Sequence, residues 1–394
     1  MAGPRIRFTT LDTGRPHLRA AALVLGVVIL AALGAAFLME HHGHAITGMN
    51  NTVVWGLPHV FAIFLIVAAS GALNVASMAS VFGRTVYKPL APLSGLLAMA
   101  LLAGGLFVLV LDLGRPDRLT VALTHVNPTS IFAWNVILYS GFFALVAAYL
   151  WALLDRRVGR HAGTIGLAAF IWRLVLTTGT GSIFGFLAAR DVYHSAVMAP
   201  LFIAMSLSFG LAVFLLVLFA LHGRDGMGDA LIGRLGRLQA LFVAVVLYFV
   251  VVQHLTGLYT ARGAEVERFL LGGPWAPAFW LGQILIGTLA PLVLLLVPPF
   301  SRAPQYVPIA AALVAVGGWF QVYALVIGGQ SLPLTLLPGL DVTSEVPAAY
   351  APSLPEALLG LGGVAVALAL VVAGCAVLRV LPRGLVDETA SGEG

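Results

Sequence analysis

The sequence predicts an all-α protein that crosses a membrane about ten times. Hydrophobic residues make up 60% of the 394 residues and charged residues only 9%, and the mean hydropathy is +1.01. So few polar side chains cannot cover the surface of a soluble globule of this length. The apolar runs are continuous and do not alternate every second residue, so they indicate membrane-spanning helices and not the strands of a barrel.

Ten runs are long enough to cross the hydrocarbon core of a bilayer, which takes roughly 20 apolar residues in a helix. The first run follows an arginine-bearing leader, as the core of a signal peptide does. It is longer than such a core and has no clean small-residue cleavage site, so we expect a retained helix. The predicted spans are approximately 18–39, 53–82, 89–112, 130–154, 163–188, 196–222, 238–261, 275–298, 306–327 and 356–380.

The distribution of basic residues predicts that both termini lie in the cytoplasm. Most of the 21 lysine and arginine residues fall in the N-terminal leader and in the connections on the same side of the membrane. Cytoplasmic connections are the ones enriched in these residues. The net charge of +5 then follows from topology and from anionic lipid on the inner leaflet, so it indicates no nucleic-acid partner.

Histidines gather at the predicted outer ends of the spans. His59 lies about one and a half turns into the second span, His254 near the outer end of the seventh, and His194 at the outer start of the sixth. Polar groups at this depth are costly unless they meet each other, water or a ligand. The cluster therefore predicts a site, although any single membrane histidine can equally be inert and hydrogen-bonded to a neighbouring helix. Nearby polar and aromatic candidates are Asn50, Asn51 and Trp55.

A quinone is the ligand whose chemistry suits these histidines best. A quinol resides in the bilayer through its tail and releases two protons when it is oxidised, so its pocket needs a base that titrates near neutrality. We predict His59 as that base, with menaquinone or ubiquinone as the exchangeable substrate.

Haem and metal sites are weaker interpretations of the same histidines. His59 and His254 meet the ligand count of a bis-histidine haem, but no second pair lies at the inner side. The loop motif "HHGH" lacks a matched carboxylate or cysteine, and the single cysteine cannot hold a cluster that needs four thiolates. We therefore predict no haem, iron–sulfur cluster or metal bound by this chain.

A charged motif interrupts the third span in "LVLDLGRPDRLT", residues 109–120. Asp112 and Arg115, three residues apart, are spaced to pair on one helix face before Pro116 ends the helix. Alternatively, Asp112, Arg115, Asp117 and Arg118 brace a docking surface or a proton exit. Both interpretations stay open at this point.

Arg173 falls near the middle of the fifth predicted span. Burying an arginine inside the membrane costs free energy, so its side chain needs a polar partner or a chain of water molecules. It either anchors a proton path towards the cytoplasm or binds backbone carbonyls at a kink.

Four stretches of the sequence resemble the polysulfide-reductase membrane-subunit family, the NrfD/PsrC type. They are "GMNNTVVWGLPHVFAIFLIVAASGALNVASMASVFG" (48–83), "YKPLAPLSGLLAMALLAGGLFVLVLDLGRPDRL" (87–119), "NPTSIFAWNVILYSGFFALVAAYLW" (127–151) and "GSIFGFLAARDVYHSAVMAPLFIAMSLSFG" (181–210). Within the family, these stretches are most similar to the DsrP-type branch, which occurs in sulfur-metabolising bacteria. The resemblance covers most of residues 45–330.

The resemblance implies a core of two four-helix bundles, spans two to five and six to nine, with one extra helix at each end. It also implies a quinone pocket near the outer face of the first bundle. In the shorter polysulfide-reductase members, an asparagine three residues before a histidine at the head of the first core helix lines that pocket. The matching positions here are Gly56 and His59, so Asn50 or Asn51 would replace the asparagine, and Tyr193 would replace the family's pocket tyrosine.

The resemblance further implies a domain order and partners. We expect a leader, first helix and outer loop in 1–50, the first bundle in 51–190, the second in 191–330, and an outer loop, last helix and acidic tail in 331–394. The implied setting is the cytoplasmic membrane of a bacterium, beside a periplasmic-side, ferredoxin-like iron–sulfur subunit and further cytochrome and membrane subunits.

These observations predict a quinone-reactive membrane subunit of a respiratory or sulfur-metabolism complex. It would exchange electrons between the quinone pool and the docked iron–sulfur subunit, with no redox cofactor of its own. Two alternatives stay open: an inert anchor of such a complex, and a secondary transporter, whose binding site would lie at the midplane between two repeats.

Overall fold

The computed structural model describes residues 7–223, 226–332, 348–383 and 385. Ten helices in this part of the chain are long and apolar enough to cross a membrane, which confirms the predicted all-α, multi-pass fold. Parts of the predicted outer loop in 331–394, and the acidic tail, lie outside the described residues. The ten helices are α1 Pro16–His42, α2 Leu57–Ser80, α3 Thr85–Leu111, α4 Ile131–Leu154, α5 Gly159–Gly185, α6 Met198–His222, α7 Asp229–Tyr259, α8 Ala278–Leu296, α9 Tyr306–Ser331 and α10 Leu354–Val377.

The two ends of the chain meet at one end of the helix assembly. Strand β1 (Arg7–Thr9) pairs antiparallel with strand β2 (Leu381–Arg383), with Phe8 opposite Pro382. We call this side the basic end. The opposite side, formed by residues 43–56, 112–130, 186–197, 260–277 and 348–353, carries the predicted site residues and is called the histidine end.

Helix α2 lies at the centre of the assembly. The buried share of the most apolar stretch is 89% in α2, whereas it is 22% in α1 at the periphery. It packs against α3, α6 and α10, while α4 pairs with α5, α8 with α9, and α1 with α10. The helix that carries His59 is therefore fixed by neighbours from both halves of the chain.

Small residues allow the closest helix crossings, as is usual where apolar lipid gives helices no hydrophobic reason to associate. A Cβ atom at Gly71 of α2 would overlap the Ser206 carbonyl of α6, and one at Gly210 of α6 would overlap the backbone at Gly71. Glycines meet in the same way between α3 and α10, at Gly104 and Gly363.

Helix α2 is interrupted at Leu73, where one helical segment ends at Ala72 and the next begins at Asn74. The Ser94 hydroxyl of α3 repairs the break. It donates to the Ala72 carbonyl at 2.6 Å and accepts from the Ala76 amide at 3.1 Å. The freed backbone groups are thus satisfied inside the protein, which an apolar membrane requires.

Replacing Gly210 with leucine is expected to destabilise the protein by at least about 1–3 kcal/mol, because a side chain has no room against α2. The measurement is the thermal midpoint of the detergent-purified protein, followed by size-exclusion chromatography. Gly26→Leu on α1 is the control, since a Cβ at Gly26 meets nothing within 4 Å. Equal midpoints for the two variants would contradict this close crossing.

Candidate functional site

A cavity of about 500 Å³ opens at the histidine end between α2, α3, α4 and α5. Its volume is in the range of small-molecule sites. The wall is mainly apolar, and its polar side chains are few. The residues that line it are Trp55, His59, Ile63, Ile66, Leu106, Leu109, Val110, Asp112, Leu113, Leu119, Leu123, Phe132, Asn135, Val136, Tyr139, Ser140, Thr180, Ile183 and Phe184.

Two helix termini bring a histidine and an aspartate together in this wall. Helix α2 begins at Leu57 with Pro58 in its first turn, so His59 projects from the start of the helix. Asp112 directly follows the end of α3. The His59 Nδ1 atom lies 2.8 Å from Asp112 Oδ2, although the sequence separates the two residues by more than fifty positions.

The pair is asymmetric in its exposure to the cavity. The Asp112 side chain is 1% exposed and the His59 side chain 21%. The two groups are close without being aligned as a hydrogen bond, and both Asp112 oxygens lack a hydrogen-bond partner among the described residues. The tautomer with its proton on Nδ1 places that proton next to the Asp112 carboxyl group. His59 Nε2 is then the atom left to accept a proton from a ligand.

Aromatic rings form the wall next to His59. The Trp55 indole lies over the imidazole at 6.3 Å between ring centroids and 28° between planes. Phe184 meets the indole edge-on at 5.6 Å, and Phe132 lies 6.2 Å away. Flat rings at these spacings provide a surface on which a planar ligand can stack.

The backbone of Trp55 is held by the end of α9. Gln330 Oε1 accepts from the Trp55 amide at 2.9 Å, and Gln330 Nε2 donates to the Trp55 carbonyl at 2.9 Å. Arg190 donates to the carbonyls of Gln330 and Thr52, at 2.6 and 2.7 Å. The second half of the protein therefore positions an aromatic residue of the cavity.

Asn135 and Thr180 supply neutral polar groups deeper in the cavity. Asn135 Nδ2 donates to the carbonyls of Ile131 and Gly179, at 2.9 and 3.2 Å. The Thr180 hydroxyl lies 3.3 Å from Asn135 Oδ1. Because Asn135 is already bonded to α5, it fixes the separation of α4 and α5 beside the cavity.

A buried carboxylate from α10 anchors the start of α2. Glu356 is fully buried and accepts from the Gly48 amide, the Ser353 amide and the Tyr350 hydroxyl, at 2.8, 2.7 and 2.7 Å. The Tyr350 oxygen accepts in turn from the Leu57 amide at 2.6 Å. Burial, together with the neighbouring Glu356 carboxylate, raises the pKa of Tyr350, so its phenol stays protonated and donates.

Glu356 also explains why glycine stands at position 56. A Cβ atom there would overlap Glu356 Oε1 and crowd the Met49 side chain. An asparagine at this position, as in the family resemblance, does not fit the observed packing.

The match to a protein family covers the helices that build this cavity. A family model described as "Polysulphide reductase, NrfD" matches residues 45–333, which is more than half of the sequence. The protein belongs to the NrfD family. This membership confirms the resemblance that the sequence suggested.

Curated relatives match this NrfD protein over most of its length. It is 29% identical over 377 residues to the "Hdr-like menaquinol oxidoreductase integral membrane subunit" of Archaeoglobus fulgidus, an alignment that spans 93% of this protein and 95% of the relative. It is 25% identical over 320 residues to a selenate reductase subunit of Mesobacillus selenatarsenatis, 71% of this protein and 75% of the relative. A polysulfide reductase subunit of Wolinella succinogenes is 25% identical over 307 residues, 71% of this protein and 96% of the relative.

The structure places some predicted site residues of this NrfD protein together and separates others. His59, Trp55 and Asp112 line one cavity. His194 and His254 line other cavities, beside α7, and are not brought to His59. The expectation that all three histidines share one quinone site is therefore corrected.

The other three residues that were predicted to contact quinone, Asn50, Asn51 and Tyr193, do not line the cavity. Asn50 is exposed, accepts from the Thr52 and Val53 amides and so closes a turn. Asn51 is exposed in the same loop. Tyr193 is buried behind Trp55 and donates to the Val326 carbonyl at 2.6 Å; burial raises the pKa of its phenol, which remains a donor.

Of the two interpretations of the charged motif, the one in which Asp112 pairs with Arg115 does not hold in the structure. The helix ends at Leu111, and Gly114, at φ +69°, turns the backbone, so helical spacing no longer applies at Arg115. Arg115 bonds instead to Asp117 through Nε and Nη2, both at 3.1 Å, and this bond lowers the pKa of the exposed Asp117 carboxyl. Arg118 is exposed beside them.

Arg173 is buried and binds the backbone at the interruption of α2. Its Nη1 atom donates to the Ser70 carbonyl at 3.4 Å, and the guanidinium lies 4.8 Å from the centroid of the Phe170 ring. In the described part of the protein it forms no ion pair. Of the two interpretations of Arg173, these contacts favour the one in which it binds backbone carbonyls at a kink.

Several residues that build the site carry little signal in the sequence. Asn135 stands out there only as one of the outer polar groups, and the roles of Tyr139, Thr180, Gln330 and Glu356 were not predicted. Only Glu356 offered a usable pattern: "SLPE" has the spacing of a capping box, which the structure shows at Ser353 and Glu356.

Proposed function

We propose that this protein is the quinol-reactive membrane subunit of an oxidoreductase complex, with the His59 cavity as its quinol site. The observation that carries the proposal is the His59–Asp112 pair in the wall of an apolar cavity of about 500 Å³. Oxidation of a quinol gives a quinone, two protons and two electrons. His59 Nε2 would accept the first proton, and Asp112 would stabilise the imidazolium that results.

The cavity suits a flat headgroup. Trp55, Phe132 and Phe184 offer stacking surfaces, while His59 and the amide and hydroxyl of Asn135 and Thr180 offer polar contacts at different depths. The relative from Archaeoglobus fulgidus is named as a menaquinol oxidoreductase subunit. That name favours menaquinol over ubiquinol for this protein.

A second groove, of about 480 Å³, suits the quinol tail. It lies between α4 and α5 and shares Leu123, Val136 and Ser140 with the headgroup cavity. The rest of its wall includes Gly141, Ala144 and Trp172, and Ala144 is exposed on the surface that would face lipid. An isoprenoid tail would leave the cavity along this groove and enter the bilayer.

The Ala144→Phe variant fills the groove, and we expect it to raise the KM for a long-tailed quinol several-fold. Each methylene of the tail that is no longer buried loses up to about 0.8 kcal/mol of binding free energy. The KM for a short-tailed analogue should stay within about twofold. Ala168→Phe is the control, because Ala168 is equally exposed on α5 but lines neither cavity. Equal effects on both substrates would contradict the tail assignment.

An iron–sulfur cluster that needs four thiolates would have to lie in another subunit, because this protein has a single cysteine. We propose an iron–sulfur subunit docked on the histidine end, with this end facing the periplasm, both termini in the cytoplasm and the complex in a bacterial cytoplasmic membrane. The exposed charges at Arg115, Asp117, Arg118 and Glu265 lie at that end. Further cytochrome and membrane subunits, and a place in sulfur metabolism, belong to the same proposal.

Titration of the purified complex with a quinone analogue tests the proposal, with quenching of tryptophan fluorescence as the signal. We expect saturable quenching that weakens in Trp55→Phe, together with quinol-driven reduction of the partner's redox centre. Trp151→Phe is the control, since Trp151 is exposed and lies outside the cavity. If the wild type binds no quinone analogue, the protein would instead be an inert anchor of the complex. If it binds only a solute that it transports, it would be a transporter.

A further inference from the structure

A second histidine–carboxylate pair lies at the histidine end, away from the quinol cavity. His254, near the end of α7, meets Glu267 on the helix Ala261–Gly272 that connects α7 to α8. The His254 Nδ1 atom and Glu267 Oε2 are 2.6 Å apart in a hydrogen bond. Their side chains are 18% and 7% exposed.

The close approach of this pair is built into the sequence. Thr260 caps the connecting helix by accepting from the Gly263 amide at 3.1 Å, which fixes the turn after α7. A Cβ atom at Gly257 would overlap Glu267 Oε1, so glycine at that position lets the carboxylate reach α7. Phe279 holds the other side of the imidazole, with ring centroids 4.8 Å apart.

Behind His254 lies a small cavity of about 50 Å³, whose mainly apolar wall carries several polar groups. A water molecule needs roughly 10–15 Å³ of such space, so a few waters fit, whereas ligand pockets are typically about 300 Å³ or more. Gln253, Gln283 and Gln321 line it, together with Trp275, whose buried Nε1 has no hydrogen-bond partner among the described residues. Water is the occupant that these groups can bind.

A larger cavity of about 260 Å³ lies on the other side of the pair, towards the surface of the histidine end. Glu267 lines the larger cavity, His254 lines the smaller one, and Gln253 lines both. The titratable side chains among the residues that line the two cavities are Asp191, His194, His254 and Glu267. The pair therefore lies between a cavity lined partly by exposed residues and a cavity lined by buried and half-buried residues.

Two π-helical segments border the smaller cavity. Ala278–Leu289 carries Phe279 and Gln283, and Ala324–Gly328 carries Ala324 and Leu325. Such segments are rare and are frequently found at functional sites. Neither segment contributes a residue to the quinol cavity.

We propose that the His254–Glu267 pair is a proton-exchange site of the second half of the protein. It takes a proton from water at the histidine end, holds it between imidazole and carboxylate, and exchanges it with water in the smaller cavity. No electron transfer is involved, and the site operates separately from the quinol cavity.

Infrared difference spectroscopy of the purified complex during an acid titration tests this proposal without any quinol. We expect a protonated-carboxyl band that grows as the pH falls, shifts after exchange into D2O and is absent from Glu267→Gln. Glu265→Gln is the matched control, since Glu265 is exposed on the same helix. His254→Gln keeps a hydrogen-bonding partner for Glu267 but removes the titrating ring, so it should alter that band.

Two results would overturn the inference. The first is the absence of any Glu267-specific band, or a band that does not exchange with D2O, which would make the pair a sealed structural link. The second is a large loss of quinol oxidation in a fully assembled Glu267→Gln complex, which would join the pair to the quinol reaction. Because the titration uses no quinol, failure of the proposed function would leave its outcome unchanged.

Discussion

Replacing His59 with alanine is expected to slow quinol oxidation by about 10²–10³-fold, because a positioned base contributes roughly 10²–10⁴-fold to a proton transfer. Asp112→Asn should give a smaller loss, since His59 remains but its imidazolium is no longer opposed by a buried charge. The measurement is steady-state reduction of the partner's redox centre by quinol, with turnover separated from KM. The loss should fall mainly on turnover if His59 acts as the base.

His42→Ala is the control for this prediction. His42 lies in the last turn of α1 at the same end of the molecule, but it is exposed and lines no part of the cavity. Its replacement should leave the rate unchanged. Unchanged turnover in a correctly assembled His59→Ala complex would remove His59 from the chemistry.

Replacing Glu356 with alanine is expected to cost about 3 kcal/mol of stability and to impair quinol oxidation as well. The change leaves the Gly48 amide, the Ser353 amide and the Tyr350 hydroxyl without their shared acceptor. These donors are half-buried, so each loss lies near the low end of the about 1–3 kcal/mol that an unsatisfied buried group costs. Tyr350 holds the Leu57 amide, so the start of α2 and with it His59 should lose their fixed position.

The thermal midpoint of the purified protein and the KM for quinol measure these two effects. Glu356→Gln keeps one acceptor oxygen, so it should fall between the wild type and Glu356→Ala. Glu40→Ala is the control, because Glu40 is an exposed carboxylate at the same end. A midpoint for Glu356→Ala equal to that of Glu40→Ala would contradict the anchoring role.

The fold was predictable because hydropathy is a local property of the sequence. A run of about 20 apolar residues determines a span wherever it packs, so all ten spans could be located from composition and length. Helical spacing, which allowed Asp112 to pair with Arg115, did not hold there, because Gly114 turns the backbone before Arg115.

The site was only partly predictable because its contacts join distant segments. His59 could be recognised as a polar residue at a costly depth, but nothing local to it indicates Asp112 as its partner. Gln330 of α9 and Glu356 of α10 hold the loop before α2, although some 300 residues separate them from it in the sequence. Likewise, the choice of Glu267 over Glu265 as the partner of His254 depends on which side of a short helix faces α7.

The most direct test of the central claim is a structure of the complex with a quinone-headgroup inhibitor bound. The account predicts a planar ring stacked on the aromatic wall that includes Trp55 and Phe132, with a carbonyl oxygen within hydrogen-bonding distance of His59 Nε2, and a tail along the groove beside Ala144. An inhibitor bound elsewhere, with the His59 cavity empty or filled only by lipid, would contradict it.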